Sequence, residues 1–98
     1  MNAGIMILQD GKTPCIVYDE PLPLPVDHVE FSREDYQLTL VYKTPEGAEK
    51  QGRKLEYPLD HRFVNLLTER GDVATAFLKN KKILDLQMVP IVFIEENP

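Results

Sequence analysis

The sequence VDHVEFSREDYQLTLVYK, residues 26–43, decides the fold class. Its second half alternates apolar and polar residues, which is the pattern of a strand with one buried face. The apolar positions of this strand are Tyr36, Leu38, Leu40 and Tyr42. Residues 26–31 form a second strand, and the polar residues 32–35 between the two predict a hairpin. Polar Gln37 and Thr39 on the other face favour an antiparallel sheet that is covered on one side only.

One further hairpin is predicted before this one in the chain and another after it. Residues 5–9 and 15–18 are rich in β-branched residues and are joined by Asp10-Gly11, a dipeptide that favours tight turns. Residues 53–57 return along the chain after a turn at 44–47. Between the first two hairpins, residues 21–25 alternate proline with leucine, which predicts a stiff, extended connector.

Helical spacing appears in the C-terminal half. Asp60 can cap a helix over residues 60–70, in which apolar residues recur with a period near 3.6 and after which Gly71 is a stop signal. Residues 73–79 fit a second short helix, which we favour, or a strand with small residues buried on both faces. Together these elements predict an α+β fold in one domain, residues 1–98. It is an antiparallel β-sheet of about five to six strands built from hairpins, with one or two short helices (about 60–70 and 73–79) packed on one face.

The most apolar stretch, residues 89–94, belongs to one long strand or to two strands bent at Pro90. Six consecutive apolar residues favour a core strand that is buried on both faces. Pro90 favours an edge strand or a bulge instead, because proline cannot donate a ladder hydrogen bond, and an open apolar edge would need a second chain. Both interpretations, core strand and oligomer interface, remain open at this stage.

Composition limits the classes of protein to consider. Leu, Ile, Val and Phe make up 30 of 98 residues, well above the roughly 20% below which chains stay disordered. The single cysteine, Cys15, cannot form an internal disulfide, residues 5–8 do not resemble a secretory signal, and no apolar run approaches about 18 residues. We therefore expect a soluble, cytoplasmic protein that does not enter a membrane.

Charge argues against nucleic acid as a partner. The net charge is −5, and only Lys79, Lys81 and Lys82 cluster, without interleaved aromatic residues. Residues 43–82 carry nine basic and six acidic groups, whereas the flanking segments are acidic. The basic middle and the acidic ends could attract each other across a subunit interface.

Motifs for catalysis are incomplete. Residues 47–54 have the glycine spacing of a phosphate-binding loop, but Arg53 and Lys54 stand where lysine and a hydroxyl residue belong. Cys15 lies in an apolar strand and Ser32, the only serine, opens a polar turn, so neither resembles an activated nucleophile. The sequence favours a protein without enzymatic activity and predicts no cofactor.

The sequence therefore predicts a small non-catalytic binding or assembly module whose partner is another protein or a second copy, most simply as a homodimer. The residues predicted to contact the partner are Tyr36, Tyr42, Ile91 and Phe93. The connector at 21–25 could also be presented to a partner.

An alternative function uses the two Asp-His pairs of the chain. A small ligand or a divalent metal would be held by Asp27, His28, Asp60 and His61 if the fold brought the pairs together. No spacing places two of these ligands on one element, so the alternative depends wholly on the tertiary structure.

Overall fold

The computed structural model describes residues 3–22, 25–34, 36–49, 54–56 and 61–94. The elements are β1 (Ala3–Ile7), β2 (Pro14–Tyr18), β3 (Val26–Ser32), β4 (Gln37–Thr44), β5 (Gly47–Glu49), β6 (Lys54–Glu56), α1 (His61–Arg70), β7 (Asp72–Lys79) and β8 (Lys82–Ile94). Six of these strands have five or more residues, which agrees with the predicted number, and two have three.

The strands form one mixed sheet in the order β1-β2-β7-β8-β3-β4-β5, and β6 also pairs with β4. The predicted hairpins are present, because β1–β2, β3–β4 and β4–β6 are antiparallel pairs. The α+β class is confirmed, but a purely antiparallel sheet is wrong, since β2–β7 and β3–β8 pair in parallel. Both parallel pairs join segments far apart in the chain, and local patterns carry no signal for such pairs.

One helix is present in the described part of the chain. The helix predicted at 60–70 is confirmed as α1, and Gly71, with φ of 72°, follows its last residue. The second helix predicted over 73–79 is wrong, because these residues belong to β7, between β2 and β8. Consecutive β7 residues 73–76 are all buried. A strand covered on both faces loses the alternation that identifies strands, so its pattern resembled a helix.

The main core lies on the sheet face against which α1 packs. It contains Ile16, Tyr18, Val26, Val29, Phe31, Leu38, Leu40, Tyr42, Phe63, Leu67, Val73, Val89 and Ile91. Phe63 and Leu67 are the residues that α1 contributes, and each is at most 1% exposed. On the other face, Cys15 and two alanines of β7 form a smaller cluster that Met6 and Ile83 partly cover.

Strand β8 is long enough to pair with two neighbours in succession. It pairs with β7 from Lys82 to Pro90 and with β3 from Ile91 to Ile94. Pro90 is therefore not on an outermost strand of the sheet: it is the last residue paired with β7 and lies where β8 changes partner. Burial on both faces is also wrong, because Val89 and Ile91 are buried whereas Val92 is 43% exposed.

The segment that resembled a phosphate-binding loop begins as a strand. Gly47–Glu49 pair with β4, and Lys54–Glu56 also pair with β4, while residues 50–53 lie outside the described part. A strand, and not the helix that follows a phosphate-binding loop, therefore comes after Arg53. The predicted hairpin has a strand at this place.

Candidate interaction surface

The β7–β8 hairpin extends beyond its neighbouring strands. Pairing between β2 and β7 ends at Tyr18 and Phe77, whereas β7 and β8 remain paired as far as Lys79 and Lys82. The two-residue turn Asn80-Lys81 has φ of 52° and 64°, as in the type I′ turns that suit twisted hairpins. Residues 78–84, the hairpin tip, are thus a two-stranded ribbon.

Exposed apolar side chains are concentrated on this hairpin. Six large apolar residues are exposed in the described part of the chain: Tyr36, Leu78, Leu84, Leu86, Met88 and Val92. Four of them lie on the β7–β8 hairpin and are here named the hairpin patch: Leu78 on β7 (39% exposed) and Leu84 (40%), Leu86 (44%) and Met88 (43%) on β8. Leu78 pairs with Ile83 and Leu84 with Phe77, so Leu78 and Leu84 lie on opposite faces of the ribbon. Scattered apolar residues are normal on a protein surface, but a concentration on one element indicates an interaction site.

A cleft of about 470 Å³ lies beside the hairpin patch. The described pairing between β3 and β8 begins only at Val29 and Ile91, so the two strands separate on the side where β3 starts. Residues 20–22 and Pro25, from the connector between β2 and β3, line this region. Apolar parts of the lining come from Tyr18, Leu22, Val26, Phe77 and Leu86.

The cleft is acidic as well as apolar. Its described lining includes the carboxylates of Glu20 and Asp85 but no lysine, arginine or histidine. Both acidic residues are exposed to solvent, so their charges lie at the surface of the cleft rather than in the core. Asp85 has φ of 53° and lies next to a register shift between β7 and β8, which indicates a β-bulge.

No family model, curated protein or solved structure matches the chain. Inference about its function therefore rests on the exposed side chains and the cleft. No helix in the described part is long and apolar enough to cross a membrane.

The four residues predicted to contact a partner occupy different environments. Tyr42 and Ile91 are 5% and 8% exposed and belong to the core, so they stabilise this chain and present almost no surface. Tyr36 is 37% exposed, and its ring centroid lies 6.1 Å from that of Phe31. Phe93 is partly buried and contacts the same Phe31, with the Arg33 guanidinium 4.5 Å above its own ring. Partner binding by Tyr36 and Phe93 stays a prediction.

The hairpin patch was not among the predicted contact residues. The interpretation of residues 73–79 as a helix hid it, because a helix ending at Lys79 leaves no hairpin. Asn80-Lys81 was the available signal: asparagine tolerates positive φ, and the apolar Leu78 and Ile83 lie two positions before and after the dipeptide.

The residues of the two Asp-His pairs are only partly described. His28 Nδ1 lies 2.8 Å from Asp27 Oδ2, and its Nε2 lies 3.4 Å from Glu30 Oε2. A protonated imidazole can donate to both carboxylates, whereas a neutral one can donate to one. His61 is exposed at the start of α1, and Asp60, with its predicted capping role, lies outside the described residues. Glu30, which sequence reasoning missed, is the second carboxylate beside His28.

Metal and nucleophile chemistry receive no support from the described residues. None of their His, Cys, Asp and Glu side chains form a group of three or more that could hold a metal ion. Cys15 is fully buried, and burial raises the pKa of its thiol to about 11, which keeps the reactive thiolate scarce near neutral pH. Ser32 Oγ is buried without a hydrogen-bond partner in the described part, so no base there contacts it.

Proposed function

We propose that this protein is a non-catalytic binding and assembly module that associates with protein through its β7–β8 hairpin, with a homodimer as the simplest assembly. The observation that carries the proposal is the hairpin patch, which holds four of the six exposed large apolar residues in the described part of the chain. The proposed function is the binding of another protein or of a second copy, and it involves no cofactor.

The physical basis is the cost of leaving this hairpin in water. A two-stranded ribbon without further strands is marginally stable at best. Full burial of a leucine side chain contributes about 1.5–3 kcal/mol, so the remaining 40% of Leu84 is worth about 1 kcal/mol to an interface. Several such side chains on one ribbon favour coverage by a partner.

The alternative of a metal or small-ligand site on the two Asp-His pairs has less support. The nitrogens of His28 are both directed at carboxylates of its own strand, at 2.8 Å and 3.4 Å. A metal ion would have to displace one of these contacts to reach the ring. No observation brings His61 to the same place.

The experiment is a comparison of molar mass by light scattering at high micromolar concentration. We expect the wild type to associate and Leu78→Thr/Leu84→Thr to be monomeric, because threonine keeps strand propensity and removes most of the apolar surface. Val92→Thr is the matched control, since Val92 is 43% exposed but lies beyond Pro90, outside the hairpin patch.

Circular dichroism and the thermal midpoint check that each variant is folded. A wild type that is monomeric and retrieves no protein partner in a pull-down would contradict the proposal. So would a leucine double variant that associates as strongly as the wild type.

A further inference from the structure

We infer that the cleft between residues 20–22 and β8 receives the hairpin tip of a second copy of this chain, so that two copies exchange their tips. The inference rests on the proposed function and deepens it by naming the partner and the receiving site. The proposed function requires only that the hairpin patch binds protein, whereas this inference requires a specific pairing of tip and cleft.

Charge complementarity is the first argument. The hairpin tip carries three exposed lysines, Lys79, Lys81 and Lys82, within four residues. The described lining of the cleft carries Glu20 and Asp85 and no basic side chain. A tip placed in the cleft would bring these opposite charges together, which favours both correct orientation and association rate.

Apolar complementarity is the second argument. The tip has exposed Leu78 on one face of its ribbon and Leu84 on the other, and a ribbon inserted into a cleft presents both faces to the walls. The cleft has Tyr18, Phe77 and Leu86 beside its carboxylates. An apolar centre with a charged rim is the usual anatomy of a protein interface. The two surfaces therefore match in both properties.

The backbone offers a third argument. From Lys82 to Pro90, β8 has a described strand partner only on its β7 side, and residues 85–87 of this stretch border the cleft. An unpaired edge is a template for an added strand. An incoming tip could extend the sheet at that edge.

The occupant has to be another copy rather than the tip of the same chain. The ladder runs without interruption through the pairs Phe77–Leu84, Leu78–Ile83 and Lys79–Lys82, so the tip points away along its own strands. Phe77 and Asp85 line the cleft and are only two or three residues from Lys79 and Lys82. Because tip and cleft are adjacent, a two-fold axis can place each tip in the other copy's cleft and close the assembly as a dimer.

The test is a charge swap between two variants. The tip variant, Lys79→Glu/Lys82→Glu, reverses charge at strand positions and leaves the positive-φ turn residues unchanged. The cleft variant, Glu20→Lys/Asp85→Asn, reverses one charge and removes the other, and asparagine suits the φ of 53° at position 85. Lys12→Glu, in the exposed β1–β2 turn, is the control for a charge reversal that lies outside both the tip and the cleft.

We expect each variant alone to dimerise about tenfold more weakly or worse, because every substitution acts twice in a symmetric dimer. An equal mixture should form a heterodimer, seen by native mass spectrometry through the unequal masses, because both tip–cleft contacts again join opposite charges. High salt should weaken the wild-type dimer, and Lys12→Glu should dimerise like the wild type.

Three results would overturn the inference: a monomeric wild type at high micromolar concentration, variants that dimerise like the wild type, or a mixture that forms no heterodimer. Leu78→Thr/Leu84→Thr could be monomeric while the charge variants dimerise like the wild type. The proposed function would then stand, because the hairpin still mediates assembly, and the inference that the cleft receives the hairpin tip would be wrong. If the wild type is monomeric but its hairpin patch still binds another protein, the second copy is wrong as the partner and the proposed function stands.

Discussion

Asp72 lies directly opposite Pro90 in the antiparallel β7–β8 ladder, and the next residue of β8 already pairs with Val29 of β3. Proline is tolerated here because the ladder ends at this residue and the strand changes partner. The amide of Ile91, which follows the proline, donates to the carbonyl oxygen of Gly71 at 2.9 Å. The end of α1, the start of β7 and the middle of β8 therefore meet at one place.

Replacement of Gly71 at this place should destabilise the protein through its backbone conformation. Gly71 has φ of 72°, and a Cβ atom added to it would have no neighbour within 4 Å among the described residues. We expect Gly71→Ala to lower the free energy of unfolding by about 1–2 kcal/mol, the cost of the left-handed conformation. Gly71→Asn should lower the free energy of unfolding by less than Gly71→Ala does. Equal decreases for the two variants in urea denaturation would contradict this account.

Truncation of the helix contact should be far more costly than truncation of its exposed side. Leu67 is fully buried between α1 and the sheet, whereas Asn65 is exposed on the same helix. We expect Leu67→Ala to lower the free energy of unfolding by about 2–5 kcal/mol, and Asn65→Ala to change it by less than about 0.5 kcal/mol. Chemical denaturation of both variants measures the difference, and similar values would show that α1 does not pack as described.

The Cys15 thiol should make stability decrease at alkaline pH. Its pKa is about 11 in the folded chain against an ordinary value of 9.0, because burial disfavours the thiolate. Between these two pH values the unfolded chain has released the proton and the folded chain retains it, so rising pH favours unfolding. The contribution of the protonated Cys15 thiol to the free energy of unfolding is fully present below pH 9.0. It decreases by on the order of 2 kcal/mol as the pH approaches 11.

Cys15→Ala is the control for this effect, since it removes the titrating group and should reduce the alkaline loss. In the wild type, a thiol reagent near neutral pH should react slowly until denaturant is added. Rapid reaction of the native protein would show that the thiol is accessible.

Asp10 should have the opposite dependence on pH. Its Oδ2 accepts a hydrogen bond of 2.6 Å from Thr13 Oγ1, and its Oδ1 accepts from the amides of Lys12 and Thr13 at 2.8 Å and 3.0 Å. These bonds hold the pKa of Asp10 below its ordinary value of 3.8, with the Thr13 hydroxyl as the largest cause. The stabilisation is present above pH 3.8 and is lost as pH falls through the lower pKa of the folded state.

An NMR titration of the Asp10 carboxyl measures this shift directly. Thr13→Val should move the pKa of Asp10 up toward its ordinary value, because it removes the hydroxyl donor and leaves the backbone donors. An unchanged pKa in Thr13→Val would mean that the backbone amides alone set it.

Local chemistry made part of the fold predictable from sequence. The turn at Asp10-Gly11 and the alternation in residues 36–43 identified two hairpins, and the apolar period before Gly71 identified α1. The parallel pairs could not be predicted, because no residue pattern records that β2 lies beside β7. β7 itself was interpreted as a helix since its small residues are buried on both faces.

The residues of the candidate interaction surface were not predicted from the sequence. The sequence predicted that apolar residues contact a partner, but Tyr42 and Ile91, which were assigned to this role, belong to the core. Alternation shows that a strand has an apolar face, and it does not show whether that face meets this chain or another. The exposure of Leu78 and Leu84 could be predicted only if the bounds of β7 and β8, the two strands of the hairpin, were known.

The path of β8 also has a consequence for how this protein acquires its structure. The parallel ladders bring β2 to β7 and β3 to β8, and each ladder closes a long loop of chain. Loop closure costs entropy before these contacts form, so folding should take milliseconds to seconds rather than microseconds. The early hairpins can form by local pairing, and docking of the last strand between β7 and β3 then makes the sheet one cooperative unit.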